Sequence, residues 1–241
     1  MKKIILIIAL ATAAINLFSQ EERMYIMKDG VLIYQKAVSD IDSILFHNPG
    51  IGEASPTTDP GVVINGVRWA TRNVDAFGTF ADTPESYGKF YQWNRNRAWS
   101  ATDPAAGVAV SDWDATTPEG AEWTEANDPS PVGWRIPTTE EQRTLLDTEK
   151  VTNEWTTQNG VNGRKFTDIT SGLSVFFPAA GLRDYSNGTL GSNAGNYGRY
   201  WSSTQRNSDY ANTLYFANNF ADLGGNLYRS SGLPVRVVVA E

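Results

Sequence analysis

The sequence predicts an α+β domain with a mostly antiparallel sheet and one or two helices, preceded by a short β-hairpin segment. Three observations carry that reading. Short apolar runs separated by Gly- and Asn-rich turns recur from Val62 to Val239, and a single strong helix start, PTTEEQRTLLDTEK, stands at 137–150. Hydrophobic residues make up 41% of the 241 positions, enough to bury a sizeable core.

From the N-terminus, Lys2 and Lys3 precede the apolar run Ile4 to Ile15, then small or polar residues up to Gln20 and the acidic pair Glu21-Glu22. This is the pattern of a secretory signal peptide over 1–20, and the run is short for a membrane span. Export is therefore expected, to the periplasm, the cell surface or the medium. The chain has no cysteine, which leaves no disulfide, no lipid anchor and no thiol chemistry. Its net charge of −7 argues against nucleic acid or an anionic membrane as partner.

Residues 21–47 read as a hairpin segment. Met24 to Lys28 and Val31 to Tyr34 flank Asp29-Gly30, whose residues tolerate positive φ, and Ile41 to Phe46 adds a third apolar run. A segment this short buries little alone, so Met24–Phe46 is a candidate for docking to a surface-assembly partner by strand addition. The Pro-, Gly-, Ser- and Thr-rich stretch 48–61 reads as a linker. The main domain, 62–241, opens with a strand, an Asn65-Gly66 turn and a second strand carrying Val67 and Trp69, followed by a short aromatic strand from Tyr87 to Trp93.

Between Ala98 and Trp134 lies a long irregular region with seven acids and no Lys or Arg, long enough to suggest a functional insertion or local helical turns. In the helix that follows, Thr138 is the expected cap, Glu141 reaches back to it, and Leu145 and Leu146 face the core. Leu173–Phe177, Tyr200–Ser203, Tyr210–Phe216 and Val235–Val239 complete the strands.

Catalytic chemistry has little material. The one histidine, His47, precedes the linker, so neither a Ser-His-Asp triad nor a His-based zinc site can be assembled in the domain. Paired carboxylates suit a glycoside hydrolase, the less favoured alternative, because nothing sets one of them in an apolar pocket. No cofactor is expected. The cation the acidic region would suit best is calcium, with Asp112, Asp114 and Asp128 as oxygen donors, although the spacing matches no EF-hand. Trp99, Trp113 and Trp123 are either a sugar-stacking platform or anchors for the long region.

Four motifs in order, PVGWRIPTTEE (131–141), FFPAAGLRDYSNG (176–188), YWSST (200–204) and RSSGLPVRVV (229–238), resemble the Fibrobacter succinogenes major paralogous domain family. That resemblance covers nearly all of 62–241 and implies a C-type-lectin-like domain whose first and last strands pair. The tail is also similar to the variable segments of retroelement-diversified lectin-fold binding proteins. By that likeness Tyr200, Trp201, Ala211, Leu214, Phe216, Arg229, Gly232, Val235 and Arg236 form the framework. The ligand-binding positions it implies are Asn207, Asp209, Thr213, Tyr215, Phe220, Asp222, Asn226 and Tyr228.

Composition points the same way, since 14 of the 26 residues from Asn207 to Gly232 are Asn, Tyr, Ser or Gly. Tyrosine supplies contact area with few torsions to freeze, and the small polar residues supply adaptable hydrogen bonds. A tandem of tight turns has the same composition, and both readings stand at this point. The expected function is a non-enzymatic binding protein recognising a protein or glycan on a cell surface. The alternative is a structural pilus or surface-assembly component.

Overall fold

The computed structural model describes the backbone of 23–28 and 31–37, and residues 56–191 and 194–240 with the side chain of Asn226 excepted. The signal segment 1–20, the Asp29-Gly30 turn, Ile41–Phe46, His47 and linker positions 48–55 lie outside the described residues. The chain divides into two units, Met1–Gly52 and Glu53–Glu241. In the first, β1 (Arg23–Lys28) and β2 (Val31–Ala37) pair antiparallel, with an irregularity between Ile26 and Met27.

The second unit is built from strands. β3 (Val62–Ile64), β4 (Val67–Trp69), β14 (Val238–Val239) and β6 (Trp134–Arg135) form one sheet in that order. β5 (Phe90–Gln92) pairs with β13 (Gly232–Pro234). β7 (Val151–Gln158), β8 (Val161–Asp168) and β9 (Ser174–Pro178) form a meander, as do β10 (Tyr197–Gln205), β11 (Tyr210–Ala217) and β12 (Phe220–Tyr228). Every paired strand runs antiparallel to its neighbour. The early and late strands meet through Val238 opposite Trp69.

The expected α+β class is overturned. Among the described residues helix is confined to α1 (Thr139–Thr144), six residues long, and one 3-10 turn at Glu125–Asn127, so the unit is essentially all-β. Helix α1 starts where the sequence announces it. The Thr138 side chain accepts the Glu141 N–H, and the Glu141 carboxylate accepts the Thr138 N–H, a box worth about 1 kcal/mol. It stops early because buried Leu145 turns into the core and Asp147 diverts the chain, its carboxylate accepting the Glu149 N–H at 3.1 Å and its carbonyl the Val151 N–H at 2.8 Å. The strand β7 then begins at Val151, directly after the 137–150 motif.

Two turns share one chemistry. Asn65-Gly66 joins β3 to β4 and Asn159-Gly160 joins β7 to β8, with φ of 46° and 81° in the first and 45° and 82° in the second. These are the conformations that match the twist of paired strands. The first turn is also pinned from outside. The Asn65 N–H donates to the Asp168 carboxylate at 2.9 Å, and its side-chain amide donates to the Thr144 carbonyl at 3.1 Å.

Adjacent residues Tyr200 and Trp201 point into two different cores, as strand alternation requires. Tyr200 joins Trp69, Phe166, Phe177, Leu214 and Phe216, where three sheets converge on an edge-to-face ring cluster centred on Phe177. Trp201 joins Tyr91, Trp93, Ala211, Leu233 and Val235. Its indole donates to the Tyr91 carbonyl at 2.7 Å, and Trp93 returns a bond to the Ser202 carbonyl at 2.9 Å.

Arg236 runs through the first core, its guanidinium 4.6 Å from the Phe177 ring centre, donating to Asn73 and to the Ala70 and Thr71 carbonyls. Burial pushes its pKa down to about 10.

At the domain entrance the Asp59 carboxylate accepts from the N–H groups of Gly61 and Thr71, the Thr71 hydroxyl and Arg72. Burial alone would raise its pKa, but these donors outweigh it and hold it below the usual carboxylate range. Because the folded pKa is depressed, the stabilisation is full above the unfolded value of about 3.9 and is lost as pH falls through the folded one. Thermal unfolding followed from about pH 7 to about pH 2 should therefore show an acid limb that is shallower in Asp59→Asn than in the parent chain. Parallel acid limbs would contradict this.

Candidate functional site

The framework and display positions separate by burial. All nine framework residues, from Tyr200 to Arg236, are buried. Among the display positions Asn207, Asp209 and Asp222 are exposed, and Tyr215, Phe220 and Tyr228 are half-buried. Thr213 is fully buried and its hydroxyl donates to the Gly224 carbonyl, so it packs rather than presents. The Asn226 side chain lies outside the described residues.

The display residues do not form one patch, because they lie at opposite ends of the β11–β12 ladder. At one end Tyr228 pairs with Tyr210, and the Arg229 N–H reaches the Asp209 carbonyl at 2.9 Å. Three tyrosines stack here, with Tyr228 4.1 Å from Tyr185 and 4.6 Å from Tyr210 between ring centres. Hydrogen bonding with Tyr228 holds the Tyr210 hydroxyl above its usual pKa. Asn207 serves the adjoining turn, its side-chain oxygen accepting the N–H groups of Asp209 and Tyr210 at 2.9 Å. Its side-chain oxygen thus has the role of an ordinary turn residue, on an exposed position.

At the other end Tyr215 stands opposite Asp222, two pairs along the ladder from Phe220 opposite Ala217. Phe220 meets Tyr215 edge to face at 4.8 Å, Tyr197 does so at 5.8 Å, and Arg199 lies 3.8 Å over the Tyr215 ring. Tyr185, Tyr197, Arg199 and Tyr210 were not singled out from the sequence. The signal for Tyr197 and Arg199 was the strand alternation of YGRYW, whereas alternation along YANTLY places Tyr210 in phase with Leu214 and hides it, because the register shifts between Ala211 and Thr213.

The long region reaches the tyrosine end. A cleft of about 510 Å³ lies between Thr117–Ala121 and the turn carrying Ser208 and Asp209, with Arg229 in its wall. A neighbouring cleft of about 680 Å³ shares Thr117, Pro118 and Glu119 and is closed by Asn94 to Arg97.

Three guanidiniums fasten the region, chiefly through backbone carbonyls. Arg183 donates to the carbonyls of Ser100, Asp103 and Gly188 at 2.7–2.8 Å. Arg229, lying 4.1 Å over Trp93, donates to those of Ser208, Glu119 and Gly120. Arg95 takes those of Asp114 and Thr116.

The three tryptophans of this region pack against the domain, as the anchoring reading expects. Trp99 is 7% exposed and packs on Trp113 at 4.8 Å. Trp113 fills space that only glycine leaves open, since a Cβ at Gly188 would come within 2.4 Å of its ring and one at Gly232 within 2.9 Å. Trp123 rests on Trp93 and donates to the Asn127 carbonyl.

The acids considered for calcium are each engaged elsewhere. Asp112 pairs with Arg97, whose hydrogen bond lowers its pKa. Asp114 bonds to Thr116, which lowers its pKa, and pairs with Arg95 at 2.8 Å. Asp128 is raised by burial and accepts from Ser130 and the Ile136 N–H. Among the described residues no three His, Cys, Asp or Glu side chains group as a metal site, and no helix is long and apolar enough to cross a membrane.

A family model described as a domain of unknown function, DUF8237, matches residues 147–238. The match spans both meanders and stops short of β3 to β6 and the long acidic region. No curated protein and no solved structure matches the chain.

Proposed function

We propose that this chain is an exported, non-enzymatic binding protein that recognises a protein or glycan through the solvent-facing residues of β10 to β12. The observation that carries the reading is the separation of framework from display. Nine framework positions are buried, five of them on β10 and β11, while Asn207, Asp209 and Asp222 stand exposed and Tyr215, Phe220 and Tyr228 half-buried, with Thr213 the one buried exception among the display side chains described. Rigid strands presenting tyrosines with neighbouring Asn, Asp and Ser freeze little entropy on binding, because the contact area is already in place. The similarity of the tail to the variable segments of retroelement-diversified lectin-fold binding proteins supports the same assignment.

The full chain should give a reproducible hit on an array of glycans and cell-surface proteins. Two double variants then locate the contact: Tyr185→Ala with Tyr228→Ala at one end of the ladder, Tyr215→Ala with Phe220→Ala at the other. The expected outcome is loss of the hit, about tenfold or more in affinity, in at least one variant whose melting is unchanged. A hit indifferent to both variants would reject the sheet as the recognition surface.

A further inference from the structure

The Tyr215 end of the sheet holds a guanidinium that the chain leaves without an oxygen partner. Among the described residues, every other buried or half-buried arginine donates to a protein oxygen. Arg199 is half-buried, and its guanidinium lies 3.8 Å over the Tyr215 ring. Gly224 on the strand beyond leaves room for it, since a Cβ there would come within 3.3 Å of the Arg199 Nη1 and 2.9 Å of the Thr213 hydroxyl. The nearest acid in the same cross-strand row, Asp222, accepts the N–H of Leu223 instead.

A fixed guanidinium with free donors is matched by a carboxylate, whose two oxygens fit its fork. The surroundings narrow what carries that carboxylate. Phe220 and Tyr197 stand at 76° and 88° to the Tyr215 ring, so two further aromatic rings flank the one beneath the guanidinium. Asn196, Asn218 and Asn219 are exposed in the adjoining chain and offer amides suited to hydroxyl groups. Tyr215 lies on the central strand, whose backbone is paired on both sides, so a peptide would find no strand edge to extend. One cation on a chain of net charge −7 suits one carboxylate on an otherwise neutral ligand, not a densely sulfated polyanion.

We propose that Arg199, Tyr197, Tyr215 and Phe220 form a seat for a carboxylated sugar residue, the carboxylate on Arg199 and the ring against the aromatic walls. This rests on the reading of the sheet as a ligand surface and names the ligand chemistry at one end of it.

The test is calorimetric titration of the full chain with three acidic probes of one carboxylate each, a galacturonate-terminated trisaccharide, a glucuronate-terminated trisaccharide and sialyllactose, each alongside its methyl ester. The expected result is binding of at least one acid, about tenfold weaker for its ester and for Arg199→Gln, with Arg199→Lys intermediate and melting unchanged. Equal affinity for acid and ester, indifference to Arg199→Gln, or silence of all three acids would overturn the proposal, as would binding of an Asp- and Glu-rich hexapeptide in their place. A neutral glycan or protein captured on the array and lost in Tyr215→Ala with Phe220→Ala would remove the acidic-sugar assignment while leaving the recognition surface standing. Absence of any array hit would count against both.

Discussion

Arg183→Met is expected to lower the stability of the domain by about 3–5 kcal/mol, because it removes a fully buried guanidinium and strands one buried and two part-buried carbonyls at once. Arg183 is fully buried and its three nitrogens reach Ser100, Asp103 and Gly188. Methionine keeps much of the volume and none of the donors. The effect should also be local, since two of those carbonyls belong to the long acidic region. Trypsin has no site between Ala98 and Trp134, so a glutamate-specific protease acting at exposed Glu119, Glu122 and Glu125 is the suitable probe. Cleavage there should accelerate in the variant under conditions where the parent resists. An unchanged urea midpoint together with unchanged cleavage would show that the region is held by something other than Arg183.

Phe177→Ala should cost a similar amount, about 3–5 kcal/mol, for a different reason. Its ring touches Trp69, Phe166 and Tyr200 at centroid separations of 5.0–5.7 Å and carries the Arg236 guanidinium on its face. Truncation opens a cavity where three sheets meet and takes away the ring over which a buried cation is placed. Phe177→Leu should restore more than half of the loss, as measured by urea unfolding followed through tryptophan fluorescence. If alanine and leucine behave alike, the shape of the ring rather than the filling of volume is what matters there.

Much of the strand pattern was legible because its punctuation is local. Asn65-Gly66 marked a hairpin, and Thr138 with Glu141 marked the start of α1. Asn159-Gly160 carried the same hairpin signal and was passed over, since the flanking VTNEWTTQ and VNGRKFTD alternate with polar and charged residues on the open face. β12 was read as part of a display segment, yet it is a nine-residue strand, because pairing with β11 outweighs the low strand propensity of its Gly and Asn.

Helix was overestimated because the capping box fixes where a helix begins and says nothing of where it ends. Within the site, alternation separated Leu214 and Phe216 from Thr213 and Tyr215 but could not distinguish the latter two. A second core, formed around Trp201 from distant segments, covers the Thr213 end of that face and leaves Tyr215 open. The buried arginines were the least legible features. Most of the partners of Arg183, Arg229 and Arg236 are main-chain oxygens 79–166 positions away, and main-chain atoms carry no sequence signature.

That mode of attachment bears on how the surface can change over generations. A clasp closed on carbonyl oxygens is indifferent to which side chains the clasped segment displays, since every residue type supplies the same oxygen. Exposed positions such as Thr117, Glu119 and Ala121, on the rim of the two clefts, are therefore free to be exchanged while Arg183, Arg229 and Arg95 keep their grip. Fastening and display are separate inheritances in this chain, so its outer chemistry can drift without loosening its fold.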